Sequence, residues 1–282
     1  MNILDVNSDD YRRWRDRKLA GFTSDMDKLM VEIKNPHKLT ESEINLSSTI
    51  INQSNLLFFE LKEDNDDIKS SLMKLAKQFG MGNFEILESS EKSGLTKIEV
   101  SAESKVKSEY VPYTNKSLNW HTDGYYNEAN DPILSWLLFC QSNSSSGGDN
   151  KFMDHEIAYI LFNEQSENIR DLTDDKAFII PENIHSGRKA VSSYVFKLLD
   201  EKLHMRFSMR QKNIIWRDDI RESVELLKSI IRENESYQIK HKLEPNQGVI
   251  SNNIIHMRTS FTNTTNKNRL LYRLRSKKRI DI

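Results

Sequence analysis

The chain has 282 residues, 37% hydrophobic and 29% charged, which allows a sizeable core under a generous polar shell. Its 41 basic and 42 acidic residues leave a formal charge of −1, so nothing in the balance favours nucleic acid or an anionic membrane as partner. The single cysteine, Cys140, excludes an intrachain disulfide. No run approaches the ~20 apolar residues of a membrane helix, and Asp5, Asp9 and Asp10 stand where a signal peptide would be apolar, so a cytoplasmic protein is expected.

In chain order, Tyr11, Trp14, Leu19 and Phe22 recur at helical spacing behind a cap at Ser8 or Asp9. Thr40 with Glu43 forms a capping-box pattern that opens a second helix. The apolar run 55–61 predicts a buried strand, and Ile68, Leu72, Leu75 and Phe79 mark one face of a third helix closed by Gly80. From residue 95 the pattern changes to short strands, predicted at 95–101, 133–140, 176–181, 193–199, 203–208, 238–243, 249–255 and 268–275. Helices at 154–162 and 218–234 interrupt them, the second with Ile220, Val224, Leu227 and Ile231 on one face. Cys140 ends an apolar run and reads as a buried thiol. The whole predicts one domain over residues 1–282: a mixed, helical extension over 1–94, then a mainly β, jelly-roll core with flanking helices.

Histidine is scarce, and of the seven only His121 is followed two positions later by a carboxylate, Asp123. On a strand, residues i and i+2 share a face, so the two side chains can reach one metal. Alone the pair is weak, since about one such spacing is expected by chance in this composition. His256 strengthens it by ending the apolar strand that begins at Gly248. Two histidines and one carboxylate on one face of a metal are the donor set of mononuclear iron(II) oxygenases; the three open positions accept a bidentate 2-oxo acid and dioxygen. Beyond His256, period-2 alternation puts Arg269, Leu271, Arg273 and Arg275 on one face of the last strand. Guanidinium groups pointing into a partly buried space need anions, and the distal carboxylate of 2-oxoglutarate suits one of them. Arg269 and Arg273 stand about 13 Å apart at ~3.3 Å per residue, so they should do different jobs. Lys277, Lys278 and Arg279 read as a solvated tail.

With His121-Thr-Asp123, the loop Gly147-Gly-Asp-Asn150, the strand to His256 and Arg269-Leu-Leu-Tyr-Arg273 in this order, the chain resembles the taurine dioxygenase and γ-butyrobetaine hydroxylase group of 2-oxoglutarate oxygenases. The resemblance covers residues 110 to the C-terminus and extends to the helical N-terminal part. It implies a double-stranded β-helix with His121, Asp123 and His256 as iron(II) ligands. It implies Arg269 as partner of the 2-oxoglutarate distal carboxylate, with Asn150 where the taurine enzyme has a threonine on that carboxylate. Arg273 matches an arginine that contacts the substrate sulfonate in the taurine enzyme; here substrate and cofactor both stay open. The retained Asp123 argues against the halogenase variant. The implied reaction is hydroxylation of an unactivated C–H bond of a small metabolite by dioxygen, coupled to decarboxylation of 2-oxoglutarate to succinate and carbon dioxide.

Tyr125 and Tyr126 follow the metal motif and are candidate substrate contacts, as are Arg206 and Arg210, although surface solvation is the commoner fate of a single arginine. Asn252 and Asn253 are placed to fix the strand end or to support a ligand. His155 and His185 are assigned no chemistry. Desaturation or C–heteroatom cleavage at the same site is a second reading, and a non-catalytic metal-binding jelly roll is the reading from another class. A homo-oligomer is a mild expectation of the resemblance.

Overall fold

The N-terminal helix Asp9–Ala20 starts where the Ser8 hydroxyl accepts a hydrogen bond from the Tyr11 N–H. The helix Glu41–Ser54 starts at the reciprocal capping box of Thr40 and Glu43 and ends at Asn55 in the left-handed conformation. These elements belong to a computed structural model that describes residues 5–62, 67–87, 89–100, 111–184, 187–210 and 214–282. Ser101, the end of the strand predicted at 95–101, and His185 lie outside the described residues.

Ten strands position the site: β1 (Met30–Ile33), β2 (Leu56–Leu61), β3 (Thr96–Glu99), β4 (Leu118–His121), β5 (Ser135–Ser142), β6 (Asn150–Met153), β7 (Ile239–His241), β8 (Gln247–Ser251), β9 (Ile255–Arg258) and β10 (Leu270–Ser276). Six form a major sheet in the order β1-β2-β8-β5-β10-β3, and four form a minor sheet in the order β7-β6-β9-β4. Only β1 and β2 pair in parallel; the other pairings within these two sheets are antiparallel. Each sheet buries its inner face against the other, as when Phe152 of β6 stacks on Trp136 of β5 with ring centroids 6.4 Å apart. This is the jelly roll expected of the sequence. The N-terminal part is woven into it, because β1 and β2 extend the major sheet beyond β8. β2 has helices on one side and the core on the other, which explains its nearly unbroken apolar run.

Leu72, Leu75 and Phe79 of the third predicted helix, observed at Ile68–Gln78, are fully buried on the outer face of the major sheet's cluster. A second cluster gathers the helix His155–Gln165, the helix Arg221–Glu233 and the hairpin of Phe196–Leu199 with Lys202–Met205. Two predicted strands are broken. The run 193–199 is divided between Val191–Ser193 and Phe196–Leu199. The run 249–255 is divided between β8 and β9 by a turn at Asn252 and Asn253, with Asn253 at φ +55°. His256 therefore does not end the strand that begins at Gly248; it is the second residue of a new strand in the opposite sheet. Among the described residues no helix is long and apolar enough to cross a membrane.

Candidate active site

β4 and β9 are antiparallel neighbours in the minor sheet, and their register sets His121 directly opposite His256. The imidazole centroids stand 4.3 Å apart. Each ring spends Nδ1 on a backbone carbonyl, His121 on Asn119 at 2.8 Å and His256 on Ile254 at 3.0 Å. A carbonyl only accepts, so Nδ1 carries the proton in both rings and the Nε2 lone pairs are free for a metal. Burial, reinforced by His121, pushes the His256 imidazole down to about 3, which favours the form with a free Nε2 lone pair.

Asp123 lies two residues past the end of β4, and a side chain fixes its backbone. The Asn253 amide accepts from the Asp123 N–H at 2.8 Å and donates to the Asp123 carbonyl at 2.9 Å and to that of Ile133 at 2.7 Å. This turns the carboxylate toward the histidines: Oδ1 is 3.7 Å from His121 Nε2, and Oδ2 is 3.4 Å from Arg273 Nη1. Burial alone would raise the Asp123 pKa, but Arg273, His121, Arg275 and His256 outweigh it and hold the carboxyl well below the usual range. One donor atom from each of His121, Asp123 and His256 falls within 4.8 Å of the others, and no other such set of three exists among the described residues. The donors fit a divalent metal: two imidazoles whose Nδ1 atoms are held by carbonyls and one fixed carboxylate, with an indole ring, Trp136, packed against His256 at 4.9 Å.

A second row lies two residues further along the minor sheet, about 7 Å away by strand rise. There Arg258 of β9 pairs with Asn150 of β6 and Leu118 of β4, and all three line the same cavity as the histidines. Arg269 reaches this row from the major sheet. It is 5% exposed, lies over the Phe261 ring at 5.1 Å, and its guanidinium has no acceptor among the described residues. The loop before Asn150 makes room for it. A Cβ on Gly148, at φ +82°, would stand 3.1 Å from Ser144 Oγ and 3.5 Å from Arg269 Nε. The Asn150 amide donates to the His241 carbonyl at 3.4 Å, leaving its second N–H. Leu271 and Arg273 line the cavity from β10, so the alternation read from the sequence is correct and the two arginines stand at different rows.

A model of the taurine catabolism dioxygenase TauD, TfdA family matches residues 16–275. The chain belongs to the TauD/TfdA family. This family member is a 2-oxoglutarate- and iron(II)-dependent dioxygenase with oxygen as co-substrate. Solved structures share its fold. A taurine dioxygenase from Burkholderia xenovorans is 16% identical with a TM-score of 0.58, covering 88% of this chain and 87% of that one. The asparagine oxygenase AsnO is 11% identical at a TM-score of 0.60, covering 88% and 93%. AAD-2, solved with Mn(II) and N-oxalylglycine, is 16% identical at 0.62, covering 88% and 93%. No curated protein sequence matches the chain.

Four residues expected to contact substrate in this TauD/TfdA dioxygenase do not line the cavity. Arg206 is neither at the site nor solvated. It is 1% exposed and donates to Ser193 Oγ and to the carbonyls of Tyr125 and Asn127, so it braces the turn after the metal motif. Arg210, half-buried, is likewise not among the lining residues. Tyr125 packs in the second core cluster, and the Tyr126 hydroxyl accepts from Arg275, which is also ion-paired with Glu85. The basic tail is also structural: Arg279 donates to the Leu203 carbonyl and to Asn55 Oδ1. Conversely, Arg258 and Trp136 line the cavity without having been singled out from the sequence. For Arg258 a signal existed, since it lies two positions past His256 on the same strand.

Proposed function

We propose that this dioxygenase hydroxylates an unactivated C–H bond of a small metabolite, with His121, Asp123 and His256 holding the iron and Arg269 with Asn150 holding the distal carboxylate of 2-oxoglutarate. Bound iron supplies the redox chemistry that couples decarboxylation of 2-oxoglutarate to substrate oxidation. The chain's own residues supply the rest. The Asn119 and Ile254 carbonyls fix the imidazole tautomers, and Asn253 aims Asp123. Arg273 pairs with one oxygen of Asp123, which leaves the other for a metal, and lines the cavity. Trp136, Leu138 and Leu271 keep the cavity wall apolar and limit water.

The observation that carries the reading is the conjunction of the three donors with the unpaired, buried guanidinium of Arg269 one row away. A metal site used only for structure has no need of such a cation. The test is an anaerobic optical titration with iron(II) and 2-oxoglutarate. A weak visible charge-transfer band should need both additions, vanish in His256→Ala, and require far more 2-oxoglutarate in Arg269→Met. No band with the unaltered protein would overturn the assignment.

A further inference from the structure

The distal row contains a second cation. Arg258 is 4% exposed, lies over the Phe261 ring at 4.8 Å, and faces the same cavity as Arg269, which lies over that ring at 5.1 Å. Its Nη atoms donate to the carbonyls of Pro112, Thr114 and Lys116, and its Nε has no partner. These contacts satisfy hydrogen-bonding groups but supply no negative charge, and neither arginine forms an ion pair among the described residues. The cost is visible in the pair. Burial, with the charge of Arg269, pushes the Arg258 guanidinium down to about 9, and burial pushes Arg269 down to about 10. Both stay protonated at neutral pH, so two like charges share one buried pocket.

We infer that Arg258 is a second cation of the co-substrate pocket, which with Arg269 selects a 2-oxo acid bearing a distal carboxylate over one that lacks it. The inference rests on the proposed placement of 2-oxoglutarate and adds to it a residue and a source of discrimination. With no anion between them the two guanidinium groups repel each other. A carboxylate between them relieves the repulsion and gains from both charges, whereas a methyl group at the same place gains nothing and leaves the repulsion intact. Through its three carbonyl contacts Arg258 also ties down residues 112–116, where Pro112 lines the cavity.

The experiment compares 2-oxoglutarate with 2-oxovalerate, which keeps the carbon chain and replaces the distal carboxylate by methyl. Each is titrated anaerobically into the iron(II)-loaded full chain, as wild type, Arg258→Lys, Arg258→Met and Arg269→Met. Arg258→Met should weaken 2-oxoglutarate roughly tenfold, the scale of one charge-assisted contact, and leave 2-oxovalerate within about twofold. Arg258→Lys, which keeps the charge but not the three carbonyl contacts, should retain most of the discrimination. If both Arg258 variants weaken the two acids equally, or leave both unchanged, the residue is only a backbone staple and the inference is overturned. Loss of discrimination in Arg269→Met alone would keep the proposed function and reject the role of Arg258. Wild type binding neither acid would reject the placement of 2-oxoglutarate itself. Thermal unfolding and iron affinity of each variant identify any that fail to fold, and Arg258→Gln then replaces Arg258→Met.

Discussion

Asn253 is the residue whose removal should cost the metal site most without touching a donor atom. Its amide makes three buried hydrogen bonds, at 2.8, 2.9 and 2.7 Å, to backbone groups of Asp123 and Ile133. A neutral buried hydrogen bond contributes about 1 kcal/mol net, so Asn253→Ala loses about 3 kcal/mol from these. The position is left-handed at φ +55°, where a residue with a Cβ and no compensating polar group costs about 1 kcal/mol more. The expected destabilisation is therefore about 4 kcal/mol, and Asn253→Gly, which escapes the conformational part, should lose about 3 kcal/mol. Urea unfolding of the metal-free proteins measures both. Iron(II) titration should show affinity reduced by roughly 10–100-fold, since the Asp123 backbone is no longer held. A loss below about 1 kcal/mol in Asn253→Ala, with unchanged iron affinity, would refute this reasoning.

Four further outcomes follow from residues away from the donors. Lys18 is buried between Asp154 at 2.6 Å and Glu156 at 2.7 Å, so Lys18→Met should cost about 3–5 kcal/mol by leaving two buried carboxylates without their ion-pair partner. The same network predicts a pH effect. Burial would raise the Glu156 pKa, but Lys18 outweighs it, and the carboxyl lies below its ordinary value of 4.5. Its contribution is thus complete above that pH and lost as pH falls through the lower folded value; in Lys18→Met the penalty should instead shrink on acidification, and parallel urea midpoints against pH would exclude this. Gly147 sits at φ +67° with a Cβ position 2.2 Å from the Ser260 carbonyl oxygen, so Gly147→Ala should lower the melting temperature and, by moving Gly148 against Arg269, raise the 2-oxoglutarate requirement. Burial pushes the Cys140 thiol up to about 12, so a thiol reagent at pH 8 should label the native protein negligibly and the urea-unfolded protein fully.

Much of this architecture was legible because single residue types carry it. The capping box at Thr40 and Glu43, the buried faces of Ile68–Gln78 and Arg221–Glu233, and the alternation of β10 all follow from local periodicity, and all are found. The pairing of His121 with Asp123 was legible for a reason that proved incomplete. Asp123 is in a turn beyond β4, so its aim comes from Asn253, far away in sequence, and not from strand pleat. The break at Asn252 and Asn253 was signalled by two polar residues inside an apolar run, but a run of that length also reads as one strand. Arg206 could not be placed from sequence, because its acceptors are carbonyls of a turn some eighty positions earlier. Arg258 was open to the same i, i+2 argument that found Asp123.

The direct register of His121 on His256 bears on how the holoenzyme is assembled. The two histidines belong to strands separated by nearly half the chain, with the major sheet's β5 and β8 formed from the sequence between them. Of the proposed donor set, an unfolded chain holds only His121 and Asp123 close together, a poor chelate, so on that assignment the metal should not nucleate folding as zinc does in small finger domains. Pairing of β4 with β9 closes a long loop, and hydrophobic burial between the sheets must supply that free energy before any full donor set exists. On the proposed donor set, iron loading should therefore come late in biogenesis, and a chain that stalls before β4 pairs with β9 should bind no iron.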